Sequence, residues 1–361
     1  MSLGPLNIGL VVPESGPSGI FGPSCSASAE LAINEINARG GILGREVVAT
    51  PIDGGSADPC AVASRIRNKV EFKTLDALVG WHTSALRREI VDTVGGRIPY
   101  VYTAVYEGGE AADGVFTTGE VPEAQVWPAL EWMSNECGVR SWFVVGSDYV
   151  WPRRTLGRIV ARVGSISGIL GRDVIIRTAT FLPLGTSQFD SVIDEIACSD
   201  ADAVLILLLG QDAVEFNRKF AERGLHRDYV RLSPLMDENM LLAGGEGTAE
   251  QLYSVSGFFD TLTTGHSLDF GSRYAKHFGP SAPPLTSPGE SCYEGVQLLA
   301  ELSERSRSIE VASLSREAER SLQYDSPRGR VRFESHHLAQ DVYIAKAGGL
   351  DFDIVARVAS A

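Results

Sequence analysis

The 361-residue chain has no long apolar segment, and its cysteines do not group. No stretch approaches the roughly 20 consecutive apolar residues that a membrane-spanning helix needs, so the sequence predicts none. The chain also contains no C-x-x-C pair, which argues against a zinc site or a redox motif. We expect buried free thiols, and we leave one disulfide open because the count is odd. The five cysteines are Cys25, Cys60, Cys137, Cys198 and Cys292.

The motifs of common enzyme classes are missing as well. There is no G-x-S-x-G elbow, no H-E-x-x-H and no P-loop. The glycines of Gly40–Gly44 follow a predicted helix, whereas nucleotide-binding glycines follow a strand, so we interpret them as a helix end and a turn. His336 and His337 lack further ligands and are expected in a surface turn. The sequence therefore predicts no catalytic residue, no cofactor and no metal.

Positive charge is scarce. The chain has 32 Lys and Arg against 46 Asp and Glu, giving a net charge of −14 and a pI near 4.9. This balance argues against nucleic acid or an anionic membrane as a partner, since both require clustered Lys and Arg. The segment Met1–Pro5 lacks the basic start and apolar core of a signal peptide. Two locations stay open: the cytoplasm, or export with the signal already removed.

The chain does contain a regular alternation of apolar strands and amphipathic helices. Its length fits two domains at roughly 100–200 residues each. The β/α alternation restarts near residue 116, and the second half holds the apolar run Ala203–Leu209, as in a strand buried on both faces. The predicted fold is α/β, with two doubly wound parallel-sheet lobes.

Two loop regions carry their own expectations. Hydroxyl groups in Thr186–Gln188 are expected to cap a helix that runs to about Cys198. The four prolines of Pro280–Pro288 predict an extended segment before a helix that starts near Tyr293.

The stretch Leu75–Glu110 contains two consecutive units of strand and polar loop. The strand ending at Gly80 is followed by the loop Trp81–Ser84 and then by a helix starting at Ala85. This helix is expected to carry Arg87, Arg88 and Glu89 on its solvent side. In an open parallel sheet, ligands bind where strands end and helices begin. The sequence therefore predicts a small-molecule site at these strand ends.

Small hydroxyls and aromatic rings are the candidate binding groups. Ser84 either caps its helix or, with the Ala85 amide, forms a small anion or carbonyl site. Tyr102 and Thr103 end the next strand, where packing is the competing interpretation. In the second half, Tyr149 and Trp151 follow a strand, and their flat rings suit an amide-like group.

Carboxylates occur at the strand ends of the second half: Asp148, Asp212, Asp237 and Glu238. Helix capping and compensation of the helix dipole explain most such positions. One carboxylate facing a ligand would accept hydrogen bonds from an NH₂ or ammonium group.

Several runs of residues resemble the type I periplasmic binding proteins, the Leu/Ile/Val-binding-like superfamily. Within it they are most similar to the amide- and urea-binding branch. The runs are PESG at Pro13–Gly16, NEINARGGILGR at Asn34–Arg45, VGWHTS at Val79–Ser84, YEG at Tyr106–Gly108 and GSDYVWPR at Gly146–Arg153.

The resemblance implies two lobes joined by a three-crossover hinge, with the ligand in the cleft. Lobe 1 would comprise residues 1–119 and 254–326, and lobe 2 residues 120–253 and 327–361. His82 stands where the amide sensor has an aromatic residue, and Ala104–Val105 replaces a loop that often holds proline or glutamine. The implied ligand-binding residues are Ser15, His82, Thr83, Ser84, Tyr102, Thr103, Tyr149, Trp151, Gln211 and Asp237.

The sequence thus predicts a receptor for a small polar ligand, not an enzyme. The ligand is expected to be a short amide or urea, with a branched-chain or other amino acid as the alternative. An ABC transporter permease or a regulatory protein would be the partner, and a homodimer is left open. The competing class is an amidohydrolase, which would need a nucleophile beside a base.

Overall fold

The computed structural model describes residues 4–170, 174–334 and 336–358. Met1–Leu3, on which the expectation about a signal peptide partly rests, lie outside the described residues. The strands are β1 (Leu6–Val12), β2 (Val47–Asp53), β3 (Ala77–Gly80), β4 (Tyr100–Tyr102), β5 (Val115–Thr117), β6 (Ser141–Ser147), β7 (Ile175–Leu182), β8 (Ala203–Leu207), β9 (Val230–Leu232), β10 (Leu252–Ser256), β11 (Leu322–Ser326), β12 (Gly329–Glu334), β13 (His337–Ala339), β14 (Val342–Gly348) and β15 (Asp351–Val358).

The α-helices follow the strands in the predicted alternation. They are α1 (Gly22–Ala38), α2 (Pro59–Glu71), α3 (Ser84–Val94), α4 (Val126–Glu136), α5 (Val150–Leu170), α6 (Asp190–Ala197), α7 (Gln211–Glu222), α8 (Glu238–Gly244), α9 (Gly265–Phe278), α10 (Ser287–Ser306) and α11 (Val311–Ala318). Among the helices within the described ranges, none is both long and apolar enough to span a membrane.

The chain divides into two compact units, each with its own sheet. Unit 1 consists of Met1–Gly119 and Thr263–Gln340, and unit 2 of Glu120–Leu262 and Asp341–Ala361. The chain therefore passes from one unit to the other three times. The first passage lies at the expected position. The second and third lie at 262/263 and 340/341 instead of the expected 253/254 and 326/327.

Strand pairing explains both shifts. Strand β10 pairs with β9 and β14, so the residues after 253 remain in unit 2. Strand β12 pairs antiparallel with β11, with Gln323 opposite Arg332, which keeps the residues after 326 in unit 1. Each segment stays with the sheet that accepts its backbone hydrogen bonds.

The sheet of unit 1 has the strand order β11-β12-β13-β5-β4-β3-β1-β2. Neighbours from β13 to β2 are parallel, and β12 pairs antiparallel with β11 and β13. The order of the strands along the chain reverses between β3 and β1. In open α/β sheets, this reversal opens a crevice beyond the carboxyl ends of the two strands.

The sheet of unit 2 has the order β15-β14-β10-β9-β8-β6-β7. Strands β6 to β10 are parallel, whereas β14 and β15 add an antiparallel edge. The reversal here lies between β6 and β8, and β8 is buried along its whole length. The prediction of two α/β units with parallel sheets is confirmed, and the C-terminal strands make both sheets mixed.

Two local predictions about loops are wrong. Thr186–Gln188 do not cap α6, which begins at Asp190 with Phe189 at its N-cap position and no side-chain cap. The segment Pro280–Pro288 is extended only in its middle. A 3₁₀ turn spans Gly279–Ser281, and α10 begins at Ser287. A proline fits the first turn of a helix because the N–H that it lacks has no intrahelical partner there.

The expectations for cysteine and histidine also need correction. None of the five cysteines forms a disulfide, but only Cys25 and Cys292 are buried, while Cys60 and Cys198 are exposed. His336 does not lie in an open surface turn: its ring stacks on Phe116, and its Nδ1 lies 2.8 Å from the Val115 carbonyl oxygen.

A buried ionic network joins α10 to the turn between β11 and β12. The Arg328 guanidinium is fully buried and donates to Glu290 and to Gln340, and to Ser291 Oγ at 2.5 Å. Gln340 Nε2 in turn donates to the Thr118 carbonyl oxygen at 3.4 Å. Thr118 and Gln340 lie just before two of the three passages, so Arg328 helps to position both segments on unit 1.

Replacing Arg328 by Gln should destabilise the chain strongly, because Glu290 would be left as a buried charge without its cation. We expect a loss of about 3–5 kcal/mol in the free energy of urea-induced unfolding. The control is R332Q, since Arg332 forms a 2.9 Å pair with Glu334 on the same hairpin, but both side chains are exposed. This change should cost less than about 1 kcal/mol. Equal losses in the two variants would contradict the role given to Arg328.

Candidate functional site

The loops at the strand reversal of unit 1 follow β1 and β3. After β1, Ser15 Oγ donates to Asp53 Oδ2 at 2.6 Å, and the amides of Glu14 and Gly55 donate to Asp53 Oδ1. Although burial alone would raise it, these hydrogen bonds hold the pKa of Asp53 below its usual value. Ser15 is exposed, and its hydroxyl ties the β1 loop to the end of β2.

The loop after β3 begins α3 one residue earlier than predicted. Thr83, not Ser84, is the N-cap, and its Oγ1 accepts from the Leu86 amide at 3.4 Å. Ser84 is therefore released from the capping role that competed with ligand binding. Its buried Oγ lies beside the Tyr102 hydroxyl.

His82 is the centre of a buried polar cluster. Its Nδ1 lies 3.2 Å from the Thr83 carbonyl oxygen and its Nε2 lies 2.8 Å from the Tyr100 hydroxyl. Burial lowers the pKa of His82 to about 3, so the ring is neutral at pH 7. The carbonyl can only accept, so the proton is on Nδ1 and Nε2 accepts from Tyr100. The Tyr102 hydroxyl donates to the His82 carbonyl oxygen at 2.8 Å.

Arg87 does not lie on the solvent side of α3, as the sequence predicted. It is only 5% exposed and pairs with two carboxylates, Glu107 at 2.9 Å and Glu110. Its guanidinium also lies 5.5 Å from the centre of the Tyr102 ring and 5.2 Å from that of Tyr106. Arg87 follows Ser84 by three residues, which places both on the same face of the helix.

Thr103 is committed to packing inside unit 1. Its Oγ1 lies 3.6 Å from Cys292 Sγ of α10, and the residue is fully buried. A Cβ at Gly295 would lie 2.4 Å from the Thr103 methyl group, so α10 approaches this closely only because glycine stands there. This favours the packing interpretation for Thr103.

Two buried polar atoms near Tyr102 have no hydrogen-bond partner in the part of the chain that the structure describes. They are Arg87 Nε and Glu107 Oε2, whereas the buried Ser84 hydroxyl has the Tyr102 hydroxyl as a partner. A hydroxyl can donate or accept, the guanidinium N–H can only donate, and a carboxylate oxygen can only accept. Buried polar groups are seldom left unpaired, so such a set indicates a place for a polar partner.

In unit 2, the strand reversal brings together the loops after β6 and β8. Tyr149 is half-buried and Trp151 is buried, with ring centres 6.4 Å apart. Gln211 opens α7 and is exposed, behind Gly210 at a φ of +49°. An aromatic pair and an amide thus lie at this edge of the sheet.

The carboxylates of unit 2 have partners within the unit. Asp148 pairs with Arg153 Nε at 2.5 Å, and Asp237 caps α8 by accepting from the Met240 amide at 2.9 Å. Asp212 accepts from the Gly185 amide at 2.8 Å, and burial raises its pKa to about 6. Burial, reinforced by Asp237, raises the pKa of Glu238 to about 8. The capping interpretation therefore accounts for Asp237, and the other three also have local partners.

Within the described ranges, no group of three or more histidine, cysteine or acidic side chains could hold a metal ion. Sequence reasoning missed the main charged feature of unit 1, the pairing of Arg87 with Glu107 and Glu110. A signal was present, because Arg87 lies on the helix face of Ser84 and the two glutamates follow the next strand.

Comparison with known proteins identifies the family of the chain. The family model described as "Periplasmic binding protein" matches residues 5–350. The chain belongs to this family. Its members bind solutes and are not enzymes, which confirms the prediction of a receptor over an amidohydrolase. The resemblance to the type I superfamily is confirmed, whereas the amide and urea branch stays a prediction.

Curated relatives agree with this membership. A Leu/Ile/Val-binding protein homolog from Brucella melitensis is 23% identical, over 96% of this chain and 88% of its own length. The Leu/Ile/Val-binding protein BraC3 from Rhizobium johnstonii is 33% identical over 25% of the chain and 24% of its own length.

Solved structures share the fold. A solute-binding protein of an ABC transporter from Rhodopseudomonas palustris, in complex with p-hydroxybenzoic acid, has a TM-score of 0.86 at 16% identity, covering 98% of this chain and 97% of its own. A branched-chain amino acid transporter substrate-binding protein from Streptococcus pneumoniae, in complex with isoleucine, has a TM-score of 0.82 at 18% identity and 98% coverage of both chains.

The raised pKa of Glu238 predicts a loss of stability as pH rises. Between the ordinary value of 4.5 and about 8, the native state keeps a proton that the unfolded chain releases, so stability falls across this window. From pH 6.5 to 8.5 we expect Glu238 to cost about 2 kcal/mol of unfolding free energy. E238Q should lack this part of the pH dependence in urea unfolding.

The control for this comparison is E222Q, which removes an exposed carboxylate from α7. It should follow the pH dependence of the unaltered chain. If E238Q kept the full pH dependence, a neutral buried Glu238 would be ruled out.

Proposed function

We propose that the chain is a solute-binding receptor for a short aliphatic amide or for urea. It would present this ligand to an ABC transporter permease or to an amide-responsive regulatory protein. The strand-end loops of unit 1 would hold the polar group, through Ser84 and the groups around Tyr102. Tyr149, Trp151 and Gln211 stay the candidate binding residues of unit 2.

The observation that carries this proposal is the pair of unpartnered atoms Arg87 Nε and Glu107 Oε2, together with the Ser84 hydroxyl at Tyr102, which can both donate and accept. An amide offers a carbonyl oxygen that accepts from Ser84 or Arg87, and an NH₂ that donates to Glu107. Urea has the same two kinds of group. One small uncharged molecule could thus satisfy a donor and an acceptor that the described chain leaves unpaired.

The charge of the surroundings supports an uncharged ligand. His82 is neutral at pH 7, and the Arg87 cation already has two carboxylate partners. In unit 2, Asp148 pairs with Arg153 and Asp237 caps α8. A ligand with a full negative charge would find no free cation among these groups, whereas an amide requires none.

The second candidate ligand is an amino acid, and the names of the relatives favour it. An amino acid carries an ammonium group, which Glu107 Oε2 could accept, and a carboxylate, which Ser84 could bind. The two candidates differ in whether a full negative charge approaches Ser84.

A thermal-shift panel of short amides, urea and branched amino acids separates the candidates. A ligand at about 100 times its dissociation constant should stabilise the chain by roughly 2.7 kcal/mol. We expect acetamide, propionamide or urea to raise the melting temperature and isoleucine to leave it unchanged. A shift with isoleucine and none with amides would replace the proposal by its second candidate.

Replacing Ser84 by Ala should weaken amide binding by roughly three- to tenfold, since one hydrogen bond to an uncharged group is lost. Isothermal titration calorimetry measures the change. Ser187→Ala is the matched control, because Ser187 is exposed in unit 2, and it should leave the affinity unaltered. An S84A affinity equal to that of S187A would remove Ser84 from the site.

A further inference from the structure

The pairing of Arg87 places one cation and two anions next to the proposed ligand groups of unit 1. The guanidinium donates through its two terminal nitrogens to Glu107 and Glu110, and all three side chains are at most 8% exposed. With the three groups ionised, their formal charge is −1. We name Arg87, Glu107 and Glu110 the charge triad.

The charge triad is close enough to affect a ligand at Ser84. Arg87 lies 5.5 Å from the centre of the Tyr102 ring, and the Tyr102 hydroxyl lies beside Ser84 Oγ. Over such distances, unit charges in a buried setting interact strongly and are screened little by salt. A single arginine in this position would attract a carboxylate, whereas an arginine with two carboxylate partners does not.

We propose that Glu107 and Glu110 set the charge selectivity of the receptor by masking Arg87, so that carboxylates are rejected and uncharged amides are accepted. This inference rests on the proposed function, because it places the ligand beside Ser84. It adds that the same arginine could recognise a carboxylate if the glutamates were neutral. Glu107 and Glu110 would then be specificity-determining residues.

The test compares matched pairs that differ in charge but little in shape: acetamide with acetate, and propionamide with propionate. Calorimetry on the unaltered chain, E110Q and E107Q/E110Q gives the ratio of carboxylate to amide affinity. Each Glu→Gln change should raise this ratio by roughly tenfold or more, since each removes one buried negative charge. The matched control is D92N, which removes an exposed carboxylate from the same helix and should leave the ratio unchanged.

Folding is checked first by circular dichroism. If the double variant did not fold, E110Q would decide alone, because it keeps the 2.9 Å pair between Arg87 and Glu107. The ratio in the unaltered chain is a separate measurement that needs no variant: carboxylates binding as tightly as amides would overturn the inference. A folded E110Q that gains no carboxylate affinity would also overturn it.

The proposed function can fail without the inference failing. If the unaltered chain bound no amide but E110Q or the double variant acquired carboxylate binding, the amide assignment would be wrong and the masking of Arg87 would stand. If the unaltered chain bound amides and the folded variants kept its preference, the function would stand and the masking would be wrong.

Discussion

Arg87 is a buried cation near the strand ends of unit 1, and its need for partners constrains which residues can surround it. Placing a guanidinium there requires nearby carboxylates, because an unpaired buried charge is very costly. Glu107 and Glu110 supply them from the segment after β4. The same guanidinium contacts the rings of Tyr102 and Tyr106, so charge balance and aromatic packing hold this region together.

The two units meet the problem of a buried arginine in different ways. In unit 1, Arg87 and Arg328 both have carboxylate partners. In unit 2, Arg231 is surrounded by neutral oxygens: Asn217 Oδ1 at 2.5 Å, the Thr248 carbonyl at 3.0 Å and the Glu250 carbonyl. Burial lowers the pKa of Arg231 to about 9, although the nearby Glu250 carboxylate acts in the opposite direction.

The alternation of apolar strands and helices was enough to predict the class of the fold, since buried parallel strands such as β8 are continuous apolar runs. The loops that carry Ser84 and Tyr149 were predicted for the same reason, because strand ends are visible in the sequence. Side-chain direction was harder. Arg87 was expected in solvent because a charged residue on a helix usually is, and only its distant partners reverse that expectation.

Contacts between residues far apart in the chain could not be predicted from local sequence patterns. The second and third passages differ from the expected positions because β10 pairs with β14 and β12 pairs with β11. The sequence does not indicate either pairing. Thr83 replaced Ser84 as the cap since two adjacent hydroxyl residues are equally able to cap, and the backbone decides. That one-residue difference bears on the proposed function, because it releases the Ser84 hydroxyl from capping α3.

The division of polar groups between the units bears on selectivity. Unit 2 offers Tyr149, Trp151 and the Gln211 amide, while Asp237 and Asp148 have local partners and the pKa of Glu238 lies above neutrality. Rings and an amide recognise shape and hydrogen bonds but discriminate weakly between charges. Under the proposed function, discrimination by charge would rest on unit 1, where Arg87, Glu107 and Glu110 lie near Tyr102. Substitutions among those three residues would then be the first to change the charge of the ligand that this receptor accepts.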